Sequence, residues 1–302
     1  MLTSPLNSQE KPQPFIKDQI QLFPNVRDIA ISPNGSEVMF TAQSVMGNLS
    51  AIVSIKKNGD VWSKPKITSF SGRYFDLEPC FSSDGLTLFF VSTRPNTELK
   101  TDKKNFDIWY VTRENINSEW EAPINMGHPI NTTHGEFYPS IAKNGNFYFT
   151  RDNPELKRKD DIYVSKKVNG VYVEATPLSD SINTNSYEYN AYVSPDESFL
   201  IFGGYNREDG FGSGDLYISY KTKNTWTKAK NLGRIINSSK MDYCPYVDIE
   251  HKTLYFTSKR DATNTSFLRT LSTEEFLSEL YKYENGASRL YKVNFDSKER
   301  ID

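Results

Sequence analysis

The sequence predicts an all-β chain: a five-bladed β-propeller of four-stranded antiparallel blades, with the last blade closed by an N-terminal strand. One unit opens near residues 26, 76, 136, 188 and 242, and this spacing is close to the length of a propeller blade. Aromatic residues make up 14% of the chain, with 18 Tyr and 19 Phe, which suits pleated strands with packed faces. Four of the units carry a Gly-, Asn- or Asp-rich turn before an apolar run, as tight hairpins require.

The cleanest copy is residues 76–94, DLEPCFSSDGLTLFFVSTR. Its opening, Asp76-Leu77-Glu78-Pro79, has counterparts in Val26-Arg27-Asp28-Ile29, Glu136-Phe137-Tyr138-Pro139, Glu188-Tyr189-Asn190-Ala191 and Asp242-Tyr243-Cys244-Pro245. A first strand then leads into a turn such as Ser82-Ser83-Asp84-Gly85, where Asn-Gly or Asp-Gly supplies positive φ. The second strand is apolar, as in Leu88-Phe89-Phe90-Val91 and Phe147-Tyr148-Phe149. The third reads Asp107-Ile108-Trp109-Tyr110, Asp161-Ile162-Tyr163-Val164 and Asp215-Leu216-Tyr217-Ile218, with looser copies at Ala51 and Arg289. The fourth is expected to start at Trp62, Trp120, Tyr172 and Trp226, each followed by Pro or Ala, and proline suits an outer edge.

The fifth unit lacks a fourth strand. Gln13-Pro14-Phe15-Ile16 resembles Lys64-Pro65-Lys66-Ile67, so residues 12–23 are expected to complete the last blade and remove its open edge. On this reading residues 1–302 form a single propeller domain. Two interruptions stand out. Ser272 and Glu275 form a capping-box pattern, with Phe276, Leu277, Leu280 and Tyr281 on one helical face, which predicts a short helix inserted in blade 5 and packed on the rim. Residues 95–106 form a long polar, lysine-rich loop in blade 2.

The net charge of −2, with both signs interspersed, gives no nucleic-acid footprint. No apolar run approaches the roughly 18 residues of a membrane span. The first residues, MLTSPLNSQEKPQPF, lack the charged and apolar regions of a signal peptide. Cys80 and Cys244 make no disulfide framework and read as buried thiols.

The pattern of an acid, proline three residues on, a Ser-x-Asp-Gly turn, an apolar strand, Ser-x-Arg and Asp-Ile-Tyr-Val-Ser resembles the WD40-like propeller repeat of the TolB type. The resemblance covers roughly residues 26–260 and the strand at Arg289. It implies a periplasmic or secreted protein serving as a non-enzymatic interaction platform, with a protein or peptide partner at the channel face. Blade 1 departs most, lacking both the acidic opening and the arginine.

Asp76, Glu136, Glu188 and Asp242 occupy one repeat position, so a closed ring is expected to place them at one level near an end of the central channel. Gathered carboxylates raise one another's pKa unless a cation compensates, which leaves room for a channel-bound cation although no metal-ligand spacing or cofactor motif is present. The alternative is that each acid serves the adjoining blade and recurs because the blade recurs. Arg94 and Arg260 share one position and could neutralise those acids. Tyr138, Tyr189 and Tyr243 add aromatic faces suited to peptide or carbohydrate. His134, two residues before Glu136, is the one candidate acid, base or ligand. Asp107, Asp161 and Asp215 read as turn-capping groups. The competing function is a carbohydrate-active enzyme, a glycosidase or lyase using channel carboxylates; no GxSxG, HExxH or phosphate-cradling loop is present.

Overall fold

Hairpins of period-two apolar strands build every blade, and the computed structural model describes residues 10–96, 105–156 and 160–297. Blade 1 joins Asn25–Ile31, Glu37–Gln43, Ser50–Asn58 and Lys66–Ile67. Blade 2 joins Asp76–Phe81, Thr87–Ser92, Asp107–Thr112 and Ile124–Asn125. Blade 3 joins Gly135–Ile141, Phe147–Asp152, Asp160–Ser165 and Thr176–Pro177. Blade 4 joins Tyr187–Val193, Phe199–Tyr205, Gly214–Thr222 and Lys230–Asn231. Blade 5 joins Asp242–Asp248, Thr253–Ser258 and Arg289–Asn294 to the N-terminal Gln13–Pro14. The ring therefore closes as expected, with Gln13 opposite Lys292 and Pro14 opposite Tyr291. Only these two residues of the 12–23 segment are strand. A helical turn at Lys17–Ile20 follows and buries Ile20 under the closing seam.

The outer strands differ from the sequence reading. Trp62, Tyr172 and Trp226 lie on side hairpins, Val61–Trp62, Val171–Tyr172 and Thr225–Trp226, and the two-residue outer strand comes about four residues later. The aromatics mark packing rather than an edge: each lies against one of the apolar clusters that fill the gaps between blades. Phe90, Met39 and Val111 fill the gap between blades 1 and 2, and Leu200, Phe202 and Tyr148 that between blades 3 and 4. Burying such side chains at about 25 cal/mol per Å² of apolar surface is what presses the sheets face to face.

The helix in blade 5 forms at Thr273–Leu280 with the capping box of Ser272 and Glu275. It does not pack on the rim. None of its residues is buried, and Phe276, Leu277, Leu280 and Tyr281 stay exposed. Of the lysine-rich stretch, residues 97–104 lie outside the described residues. Cys244 is buried, Cys80 only partly so, and both thiols are free.

Candidate functional site

The four repeated acids turn into the gaps between blades instead of lining the axial cavity. Asp76 is fully buried and accepts hydrogen bonds from Ser92 Oγ at 2.6 Å, Ser71 Oγ at 2.8 Å and Arg94 Nη2 at 2.9 Å. Arg94 also donates to the Phe70 carbonyl at 2.9 Å, on the stretch leaving the preceding blade. Glu136 pairs with Arg151 at 2.9 Å, and Arg151 reaches the Ile130 carbonyl. Glu188 pairs with Arg207 at 2.9 Å, and Arg207 reaches that of Ile182. Asp242 pairs with Arg260 at 3.1 Å, and Arg260 reaches that of Ile236. Each guanidinium also lies over the aromatic residues of its blade's second and third strands: Phe90 and Trp109, Phe149 and Tyr163, Phe202 and Tyr217, Phe256 and Tyr291. These four acid–arginine–carbonyl clips join blades 2 to 5 each to its predecessor. Burial pushes the Glu136 carboxyl up to about 7, outweighing the Thr132 hydrogen bonds and Arg151.

Two of the four arginines escaped the repeat alignment. Arg94 and Arg260 follow the serines Ser92 and Ser258 by two residues, but Arg151 takes the serine's own place opposite its acid, and Arg207 arrives from the loop beyond Gly204. A long, flexible side chain reaches one point in space from several backbone positions, so fixed spacing hides the equivalence. The Asn of Ile130-Asn131-Thr132, Ile182-Asn183-Thr184 and Ile236-Asn237-Ser238 was also legible. Each Asn bonds both backbone groups of Ile108, Ile162 or Leu216 on its blade's third strand. Asp215 does cap a loop, through the backbone N–H groups of Phe211 and Gly212, whereas Asp107 accepts a bond from the Asn125 side chain.

What reaches the axis comes from the two positions after each blade's opening residue: Arg27, Phe137, Tyr189 and Tyr243 at the first, Glu78 and Asn190 at the second, while Leu77 packs in the gap between blades 2 and 3. Every innermost strand has a bulge at these positions, and the residue two beyond the opening takes left-handed φ of 49° to 59°: Asp28, Glu78, Tyr138, Asn190 and Cys244. Non-glycine residues rarely adopt this conformation, and here it recurs once per blade. Three bulge N–H groups are satisfied by a threonine of the preceding blade: Asp28 by Thr257, Glu78 by Thr41 and Asn190 by Thr150. Blade 2 has Val91 at that place, and the Tyr138 N–H donates to Glu78 Oε2 at 2.6 Å instead.

With Arg27, four of the five bulge side chains form one network closing the axis, and Tyr138 joins it through its backbone N–H on Glu78. Arg27 donates to Asp28 at 2.8 Å and Glu78 at 2.7 Å. Asn190 Nδ2 donates to Glu78 at 3.2 Å, Cys244 Sγ to Asp28 at 2.7 Å, and the Tyr138 hydroxyl to the Pro245 carbonyl at 3.0 Å. The positive charge facing the two buried acids is thus the Arg27 guanidinium. Burial pushes the Glu78 carboxyl up to about 7; Arg27 opposes the shift and Asp28 adds to it.

Above this floor lies a cavity of about 590 Å³. Its wall carries Phe137, Tyr187, Tyr189, Tyr205 and Tyr243, with Met241, Thr150, Asp152 and Asp160, over Arg27, Glu78 and Asn190. Tyr187 and Tyr205 meet edge to face at 5.7 Å. Tyr189 fits only because blade 4 has Gly203 at the threonine position, where a Cβ would sit 2.6 Å from its ring; its hydroxyl is buried without a partner among the described residues. Of the candidates read from sequence, Tyr189 and Tyr243 line the cavity and Tyr138 lies buried in its floor. His134 is half-buried beside the Glu136 clip and is not part of the lining. Among the described residues no group of three His, Cys, Asp or Glu is placed to hold a metal ion, and no helix is long and apolar enough to cross a membrane.

No protein-family model and no curated protein sequence matches the chain. Solved structures do. The GH43 endo-arabinanase from Bacillus licheniformis superposes with a TM-score of 0.53 at 13% identity, over 91% of this chain and 96% of that one. A protein of unknown function from Dyadobacter fermentans gives 0.52 at 14% identity, over 84% and 80%. TolB from Acinetobacter baumannii gives 0.49 at 14% identity over 89% of this chain, which spans about half, 54%, of TolB's length. At such identities the likeness is one of fold.

Proposed function

We propose that the chain is a non-enzymatic binding propeller of the bacterial envelope or secreted space, taking a protein or peptide partner at the axial cavity. The observation that carries this reading is the composition of that cavity: five aromatic faces with acids at the rim, over a floor whose acids are held by Arg27. Such a basin suits an inserted side chain that is apolar or cationic, since aromatic faces and rim carboxylates both attract a desolvated cation. The envelope placement rests on the repeat's resemblance alone. Tyr205 is partly exposed at the rim, so Tyr205→Ala and Tyr187→Ala are expected to lose a partner captured from envelope extract while keeping the unfolding midpoint. Undiminished capture by both variants would sink the reading.

A second reading, a glycoside-cleaving enzyme, is favoured by one observation. Glu78, whose carboxyl burial raises to about 7, stands beside a second carboxyl, Asp28, at the cavity floor, and glycoside hydrolysis uses two carboxyl groups, one of them an acid of raised pKa. A polysaccharide screen with wild type and Glu78→Gln decides it: activity lost in the variant supports the enzyme, and activity unchanged removes Glu78 from the role of acid.

A further inference from the structure

A second concavity, of about 790 Å³, lies beside the first over the seam of blades 5 and 1, and Arg27 and Tyr243 line both. One wall is the blade 1 loop carrying Val45 and Met46, anchored by Asn25 Nδ2 donating to the Ser44 and Val45 carbonyls. The other is the end of the blade 5 helix, Leu280 and Tyr281. Leu22, Val45, Met46 and Tyr281 line this groove while 78%, 74%, 84% and 80% exposed. Large apolar side chains clustered in water around one groove mark an interaction site.

The charge of the groove narrows the partner. Its charged lining residues are Arg27, already paired with Asp28 and Glu78, and the cations Lys259 and Arg289. Arg289 is the unusual one. Four blades pair a clip arginine with an acid, but Val26 stands at the acid's place in blade 1. There Arg289 Nη1 donates to the carbonyls of Phe23, Pro24 and Ser288 at 3.3, 2.7 and 3.1 Å. It is only 7% exposed, and no ion pair among the described residues includes it. A desolvated guanidinium answered only by carbonyl dipoles is a ready receptor for a carboxylate; burial lowers its pKa, the direction expected of a cation lacking its anion.

We propose that this groove docks an acidic, apolar-rich segment of a protein partner, with one carboxylate supplying at Arg289 the charge that blade 1 lacks. The inference rests on the reading that this end of the ring receives a partner, and it adds a second contact of opposite charge preference beside the axial cavity.

The probe is a fluorescein-labelled peptide of about 12 residues alternating Glu with Leu and Phe, long enough to fill such a groove, and its counterpart with Lys for Glu. Anisotropy with the full chain is expected to show saturable binding of the acidic peptide, weakened by salt, and none of the basic one. Met46→Asp and Tyr281→Asp, both at exposed positions, should weaken it at least about tenfold, as should Arg289→Gln, whereas Tyr205→Ala in the axial cavity should leave it unchanged. Equal binding of both peptides, no binding below about 1 mM, or indifference to Met46→Asp overturns the proposal. Loss with Tyr205→Ala alone moves the peptide to the axial cavity, so the groove fails while the proposed function stands. A dimer in sedimentation that Met46→Asp dissociates makes the occupant a second copy and also overturns it.

Discussion

Arg94→Ala tests whether the buried clips hold the ring together. Arg94 is the one cation paired with Asp76 among the described residues, bonds the Phe70 carbonyl of the preceding blade, and lies over Phe90 and Trp109 at 4.8 and 5.4 Å. Removing it leaves a carboxylate at 0% exposure with hydroxyl donors alone. Breaking a buried pair from one side costs about 3–5 kcal/mol. At about 2.1 cal/mol/K per residue the unfolding entropy of 302 residues is roughly 0.6 kcal/mol/K. The thermal midpoint should therefore fall by about 5–8 °C, read by circular dichroism. Asp76→Asn combined with Arg94→Leu leaves no charge buried and should recover a good part of the loss, a coupling that a double-mutant cycle measures. A midpoint for Arg94→Ala within about 1 °C of wild type, too small for a broken buried pair, would refute the clip.

Three further outcomes are expected. Glu78 holds its proton to about 7 when folded and to about 4.5 otherwise, so the native state binds the extra proton between those values and stability falls as pH rises through them. Glu78→Gln should remove up to about 3 kcal/mol of that fall, leaving the part due to Glu136, which titrates in the same window; urea midpoints at pH 5 and pH 8 that shift identically in both proteins contradict this. Gly203→Val places side-chain atoms against the Tyr189 ring, where even a Cβ would lie at 2.6 Å, and should cost about 1–3 kcal/mol; unchanged stability in chemical denaturation argues against that close packing. Burial pushes the Cys80 thiol up to about 12 and raises that of Cys244 as well, so iodoacetamide at pH 8 should label neither in the native protein and both after denaturation.

By itself the sequence determined the blade count, the turn positions, the closing strand and the capped helix. These depend on local chemistry: the positive φ that Gly85 supplies, the period-two apolar runs, and the bond that Ser272 Oγ accepts from the Glu275 backbone N–H. The repeat also marked Tyr189 and Tyr243 for the axis. The tertiary structure alone decided which way Asp76, Glu136, Glu188 and Asp242 face. A bulge just after each acid turns the bulge residue toward the axis and leaves the acid in the gap, and a bulge in this register has no distinct residue signature when Asp, Glu, Tyr, Asn and Cys all occupy it. Only the fold, likewise, brought Arg151 and Arg207 to the same point as Arg94, or left Arg289 beside Val26 without an acid. Equivalence there belongs to where a side chain ends, and residue spacing records only where it begins.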